Sequence, residues 1–241
     1  MTVRIHFYAK AFEKAAYRDD FLDGKLYMNT LGYFKAYEEQ EEANVGDRFE
    51  AVASHFQPDQ VRLIINEMEI PASAMAGPMI VQYKHHDDLN LCCLFCIHDG
   101  LFPPITKDNF QAFVASQRLN EDVEKLGSHS VLIVNARAFQ ERVIAAIKRE
   151  NFDATAGLVS YYDAATFNGN FADEKIPFNK RDSYQHQREY RIALDRPDAD
   201  GGPFTLEVGS LRDICAICPT SEINPLVEDC LQQLYRQGVF D

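Results

Sequence analysis

The chain lacks what a membrane protein, a duplex-binding protein or a disulfide-built secreted domain would need. No stretch approaches the roughly 18 consecutive apolar residues of a membrane span. The opening segment, Met1 to Lys10, carries charge and alternation where a secretory signal needs an unbroken apolar centre. Positive charge is scarce, with 24 Lys and Arg against 37 Asp and Glu for a formal net charge of −13. Such a mean field repels a polyanion, so duplex nucleic acid is excluded as a partner unless a local basic patch overrides it. With 12 Gly and 10 Pro, the composition is neither collagen-like nor low-complexity, and no internal repeat is visible. The six cysteines, at 92, 93, 96, 215, 218 and 230, sit in apolar segments. They read as reduced thiols of a cytoplasmic protein with no membrane partner.

What is present is enough for a substantial core. At 241 residues and 46% hydrophobic, the chain is expected to form one domain over residues 1–241 and to bury about three quarters of its unfolded surface. Val3, Ile5 and Phe7 alternate with Arg4, His6 and Tyr8, the period of a half-buried strand. Ala11 to Leu22 suits a short helix ended by Gly24, then a strand at Lys25 to Asn29. Thr30 offers an N-cap to a surface helix running into the acidic stretch Glu38 to Glu42, which is read as solvated.

Residues 49–98 turn β-rich, with strands at Val61 to Asn66, Met79 to Tyr83 and Leu91 to Ile97 and a hairpin connection at His85 to Leu89. A helix bearing Phe110, Phe113 and Val114 and a strand at Val131 to Val134 follow. Asn135 then caps a helix with the stripe Phe139, Val143, Ala146 and Ile147. Leu158 to Tyr162 resembles a strand, and the next twenty residues read as a long polar loop. Strands at Arg188 to Leu194, Phe204 to Val208 and Ile214 to Ile217, and a last helix opened by Pro225, complete the chain. Strands and helices do not alternate regularly, so the expected class is α+β, with a mostly antiparallel, curved β core and flanking helices.

Several constellations have chemistry in principle. Cys93/Cys96 and Cys215/Cys218 have the two-residue gap of a zinc knuckle, but each pair lies in a strand former's sequence that sends residues three apart to opposite faces. No metal is expected. His85, His86, Asp87 and Asp88 form one ligand-rich cluster and His98 with Asp99 another. In a hairpin of residues 79–84 and 90–97 they would stand about 25 Å apart at ~3.3 Å per residue, too far to share an ion. A metal nuclease is excluded because no strand provides the Glu, any residue, Lys triplet that it needs.

The richest segment is Asn179 to Leu194, NKRDSYQHQREYRIAL, in which a row of hydrogen-bonding side chains leads into a strand with Glu189 and Arg191 on one face. That pair is either a structural ion pair or a catalytic carboxylate kept ionised by its neighbour.

The opening IHFYAKAFEKAAYRDDFLDGKLYMNT resembles the strand, helix, Gly, strand beginning of ADP-ribosyltransferase-like folds, and Gln187, Arg188 and Glu189 resemble their Gln, any residue, Glu motif. The same residues, with Leu211 to Cys218, also resemble an uncharacterised bacterial domain family with a Lys, aromatic, Glu, Tyr, Arg tail. The first resemblance implies an NAD-dependent ADP-ribosyltransferase or NAD glycohydrolase, a toxin or defence effector, with NAD as the dinucleotide substrate. Glu189 would be the catalytic residue, aiding the positive charge that develops on the ribose. His6 would hold the adenosine ribose, Tyr8 or Tyr27 would stack on nicotinamide, and Gln187 would complete the site. The alternatives are a non-catalytic protein-binding module, docking a protein partner through strand edges and acidic surface, and a nucleotide sensor built in the same cleft.

Overall fold

The computed structural model of the protein describes residues 3–37, 49–100, 102–196 and 201–240. The acidic stretch Glu38 to Glu42 lies outside the described residues. The chain starts with β1 (Ile5–Phe12) and α1 (Ala15–Leu22), turns at Gly24 into β2 (Lys25–Thr30) and passes into α2 (Leu31–Tyr37). Thr30 both ends a strand and caps a helix, since its hydroxyl accepts the Tyr33 N–H at 3.2 Å. Gly24 has φ +91°, and a Cβ there would stand 2.0 Å from the Gly209 carbonyl oxygen, so this turn admits only glycine.

Next come β3 (Val52–Phe56), a small hairpin of β4 (Leu63–Ile65) and β5 (Met68–Ile70), β6 (Met79–Gln82) and the long β7 (Asn90–His98). They are followed by α3 (Phe110–Ser116), β8 (His129–Ile133) and α4 (Ala136–Glu150). The remainder of the chain contains β9 (Asp153–Leu158), β10 (Ser160–Tyr162), β11 (Gly169–Asn170), β12 (Asn179–Arg181) and β13 (Glu189–Asp195). It ends with β14 (Phe204–Glu207), β15 (Cys215–Pro219) and α5 (Ile223–Arg236).

The fold is α+β, built on a large antiparallel sheet that does not close into a barrel. Its strand order is β14, β2, β7, β1, β8, β15, with β13 on the other edge of β7 and β9 outside β13. Alternation along β7 and β13 sends Cys92, Leu94, Cys96, Tyr190, Ile192 and Leu194 to one face, where Phe139, Val143 and Ala146 of α4 cover them. The other face carries two separate apolar clusters. Phe7, Ala9, Ile97 and Leu132 pack under α3 and α5, while Leu91 and Ala193 pack under Leu31, Ala53, Ile176 and Phe178. Asn135 caps α4 as its sequence predicts, with its side-chain oxygen accepting the Ala138 N–H at 3.0 Å.

Three local expectations are corrected. Residues 79–97 form no hairpin: β6 pairs with β3, while β7 pairs with β1, β2 and β13, and a 3₁₀ turn at Lys84–Asp88 joins the two sheets. The predicted helix from Ala11 begins only at Ala15, because β1 continues to Phe12 along β8. The twenty residues after Tyr162 are not a loose loop, since Ile176 and Phe178 are buried and β12 pairs in parallel with β10.

Candidate functional site

The partners of β7 create a hollow. On one edge, β7 is paired with β13 from Asn90 to Phe95. On the other edge β2 takes Asn90 and Leu91, β1 takes Phe95 to His98, and the two strands diverge around Cys92, Cys93 and Leu94. Lys10 on β1 fills part of this fork, its ammonium donating to the Cys93 carbonyl at 2.9 Å in place of a ladder bond. A cavity of about 730 Å³ opens at the fork, between the two apolar clusters of that face. Its walls include Tyr17, Phe21, Tyr27, Tyr33, Phe34 and Phe95. That size and mostly apolar, aromatic lining are those of a small-molecule site.

Glu189 borders the cavity but belongs to a buried four-charge cluster. Its Oε1 accepts from Arg191 Nε at 2.7 Å and its Oε2 from Lys180 Nζ at 3.1 Å. Glu50 closes the square, with Oε1 at 2.7 Å from Lys180 Nζ and 3.1 Å from an Arg191 Nη. Arg191 also donates to the Pro177 carbonyl and Lys180 to Gln187 Oε1. Burial alone would push the Glu189 pKa up, but the Arg191 and Lys180 charges outweigh it and hold the carboxyl well below the usual range. The same balance runs in reverse at Lys180, where burial opposes the charge and Glu189 and Glu50 restore it. Two carboxylates against two cations leave no net charge, and both Glu189 oxygens are committed. This is an arrangement that ties β13, β12 and the segment before β3 together.

The residues expected to hold a dinucleotide divide into two groups. Tyr27, Gln187 and Glu189 line the cavity; His6 and Tyr8 do not. The expectation that His6 faces away from Phe7 is corrected by a bulge in β1, where Ile5 pairs with His98 and Phe7 with Ile97. His6 therefore enters the same cluster as Phe7, with ring centroids 5.8 Å from Phe113 and 5.0 Å from Phe240. From Ala9, Phe95 and Glu189, which stand in register, His6 lies two strands across and three residues along, about 14 Å from Glu189 by strand spacing. Burial drives its pKa down to about 4, against the pull of Asp99 at 3.8 Å. Tyr8 is fully buried on the opposite face, against Phe139 and Tyr190, and its hydroxyl accepts from Gln140 at 2.6 Å.

Arg188 has a mechanical role. It sits in the left-handed region at φ 38°, and its guanidinium donates to the carbonyls of Ser116, Gln117 and Arg118 at the end of α3. That is a favourable place for a cation, at the negative end of a helix. The cysteines behave as packing residues: Cys93 and Cys96 point to opposite faces, burial raises the thiol pKa of each, and Cys215 is pushed up to about 12. Among the described residues no group of three His, Cys, Asp or Glu side chains is arranged to hold a metal ion, and no helix is long and apolar enough to cross a membrane.

Comparison of the chain with models of known protein families, with curated proteins and with solved structures finds no match. Lys10, Lys180 and Glu50 were not among the residues singled out from the sequence. Lys10 had a signal, since it interrupts the apolar run Ala9, Ala11, Phe12 in a strand, and Lys180 lies within the hydrogen-bonding row preceding Glu189. Glu50 had none, because its partners are more than a hundred residues away.

Proposed function

We propose that the protein binds a nucleotide-type small molecule, NAD included, in the fork cavity, and that it acts as a binding or sensing protein of a reducing, cytoplasmic compartment. The observation that carries this reading is the hollow of about 730 Å³ walled by aromatic rings at the divergence of β1 and β2 from β7. Flat rings between aromatic walls gain stacking as well as burial, and a base ring is such a group. The two segments that resemble ADP-ribosyltransferase-like folds both border this cavity: Lys10 to Asn29 on one side, Gln187 and Glu189 on the other.

Cleavage of NAD, by ADP-ribosyl transfer or hydrolysis, is the second reading, and the position of Gln187 and Glu189 on the cavity wall favours it. It is weaker on two counts. Stabilising an oxocarbenium-like transition state needs a carboxylate with charge to spare, and the Glu189 charge is already balanced by Arg191 and Lys180. The imidazole assigned to the ribose lies in another cluster.

The test is equilibrium binding of NAD, AMP and adenosine to the wild type and to Tyr27→Ala, with free nicotinamide measured in parallel. Tyr27 is 59% exposed, so its removal leaves the melting temperature nearly unchanged. Losing one stacking platform should weaken binding about tenfold or more. No binding by any of the three compounds would overturn the proposal, and Glu189-dependent nicotinamide release would replace it with the cleavage reading.

A further inference from the structure

We infer that the ligand of the fork cavity is an organic anion whose acidic group seats on Lys10, a phosphate in the nucleotide case; this rests on the reading of the cavity as a ligand site. The charges along the cavity wall are otherwise answered by protein partners. Lys25 Nζ lies 2.8 Å from Asp20 Oδ1, Lys125 Nζ 2.6 Å from Asp122 Oδ1, and Glu189 is held by Arg191 and Lys180. Lys10 is different. It is half-buried, and among the described residues it has no carboxylate within 4.0 Å; its neighbours there are the neutral Cys93 carbonyl, to which it donates, and the face of the Phe12 ring at 6.0 Å.

An ammonium has three N–H donors, so two remain beyond the Cys93 bond. They sit at the mouth of the sheet fork, beside the aromatic walls. A half-desolvated cation with no counter-ion among the described residues is an unfavourable arrangement that an incoming anion relieves. The site thus asks for two features in one molecule: a flat apolar body for the aromatic walls and a negative group within hydrogen-bonding reach of Lys10 Nζ. A neutral nucleoside supplies only the first, and inorganic phosphate only the second.

The experiment compares AMP, adenosine and inorganic phosphate on the full chain, using the wild type, Lys10→Met and Lys10→Arg, at low and high salt. Methionine keeps much of the apolar stem, and arginine keeps the charge. AMP should bind wild type at least tenfold more tightly than adenosine does, with an affinity that falls as salt rises. Lys10→Met should lose that advantage and its salt dependence while binding adenosine as the wild type does, which also reports that the variant is folded. Lys10→Arg should restore most of the preference. Equal binding of AMP and adenosine to the wild type, or an undiminished preference in Lys10→Met, overturns the assignment and leaves the cavity reading standing. Binding of neither nucleoside nor nucleotide overturns both.

Discussion

Replacing Glu189 by glutamine separates a structural carboxylate from a catalytic one, because the first predicts a large loss of stability and the second almost none. The substitution is nearly isosteric and leaves Lys180 and Arg191, both buried, facing Glu50 alone. It removes a charge that makes bonds of 2.7 Å to Arg191 and 3.1 Å to Lys180, and the new amide turns an N–H₂ toward one of those two cations. Breaking a buried ion pair by neutralising one partner costs about 3–5 kcal/mol. For a chain of this length each kcal/mol moves the melting temperature by about 2–4 °C, so a fall of about 6–20 °C is expected. Calorimetry or circular dichroism at neutral pH reads it directly. Combining Glu189→Gln with Lys180→Met restores one carboxylate to one cation and should recover a measurable part of the loss, giving a non-additive pair. A melting temperature unchanged in Glu189→Gln would refute the structural role and return the residue to the catalytic reading.

Other outcomes follow from single contacts. The folded His6 pKa is about 4, below the ordinary value near 6.5, so the unfolded chain binds the proton first. Its contribution is therefore fully present above pH ~6.5 and is lost as pH falls toward 4, up to about 3 kcal/mol, and urea titrations should show a shallower acid slope in His6→Leu than in wild type. Asn135→Ala removes the side-chain acceptor from the first turn of α4 and should cost about 1 kcal/mol in chemical denaturation. Gly24→Ala forces a Cβ to within 2.0 Å of the Gly209 carbonyl oxygen at a left-handed φ, so a loss of at least about 2 kcal/mol is expected by the same measurement.

Features fixed by near neighbours in the chain were legible in the sequence. The alternation of Glu189 to Leu194, the stripe on α4 and the caps at Thr30 and Asn135 all depend on spacing within one element, and they stand as read. What failed depended on distant partners. The strand at Leu91 to Ile97 has the pattern of a hairpin partner for Met79 to Tyr83, but in the fold it is part of β7, which pairs with β1 from the start of the chain and β13 from its last quarter. Periodicity cannot reveal a bulge, so a strict two-residue alternation put His6 on the wrong side of Phe7. The polar stretch after Tyr162 looked unpacked because its few anchors, Ile176, Phe178 and Tyr184, are dispersed among charged residues. Tyr27, Gln187 and Glu189 stand out in the sequence and line the cavity, whereas the fork that brings them together with Lys10 is a property of strand pairing.

Amide chemical-shift mapping of the full chain during titration with AMP tests most directly whether the fork cavity is the ligand site. Perturbations should concentrate at Tyr27, Asn29, Tyr33, Val123 and Leu126, which border the hollow from two separate parts of the chain, and should saturate together. Perturbations centred on the second, smaller cavity near His86 and Asp195, or spread over the surface without saturating, would contradict it.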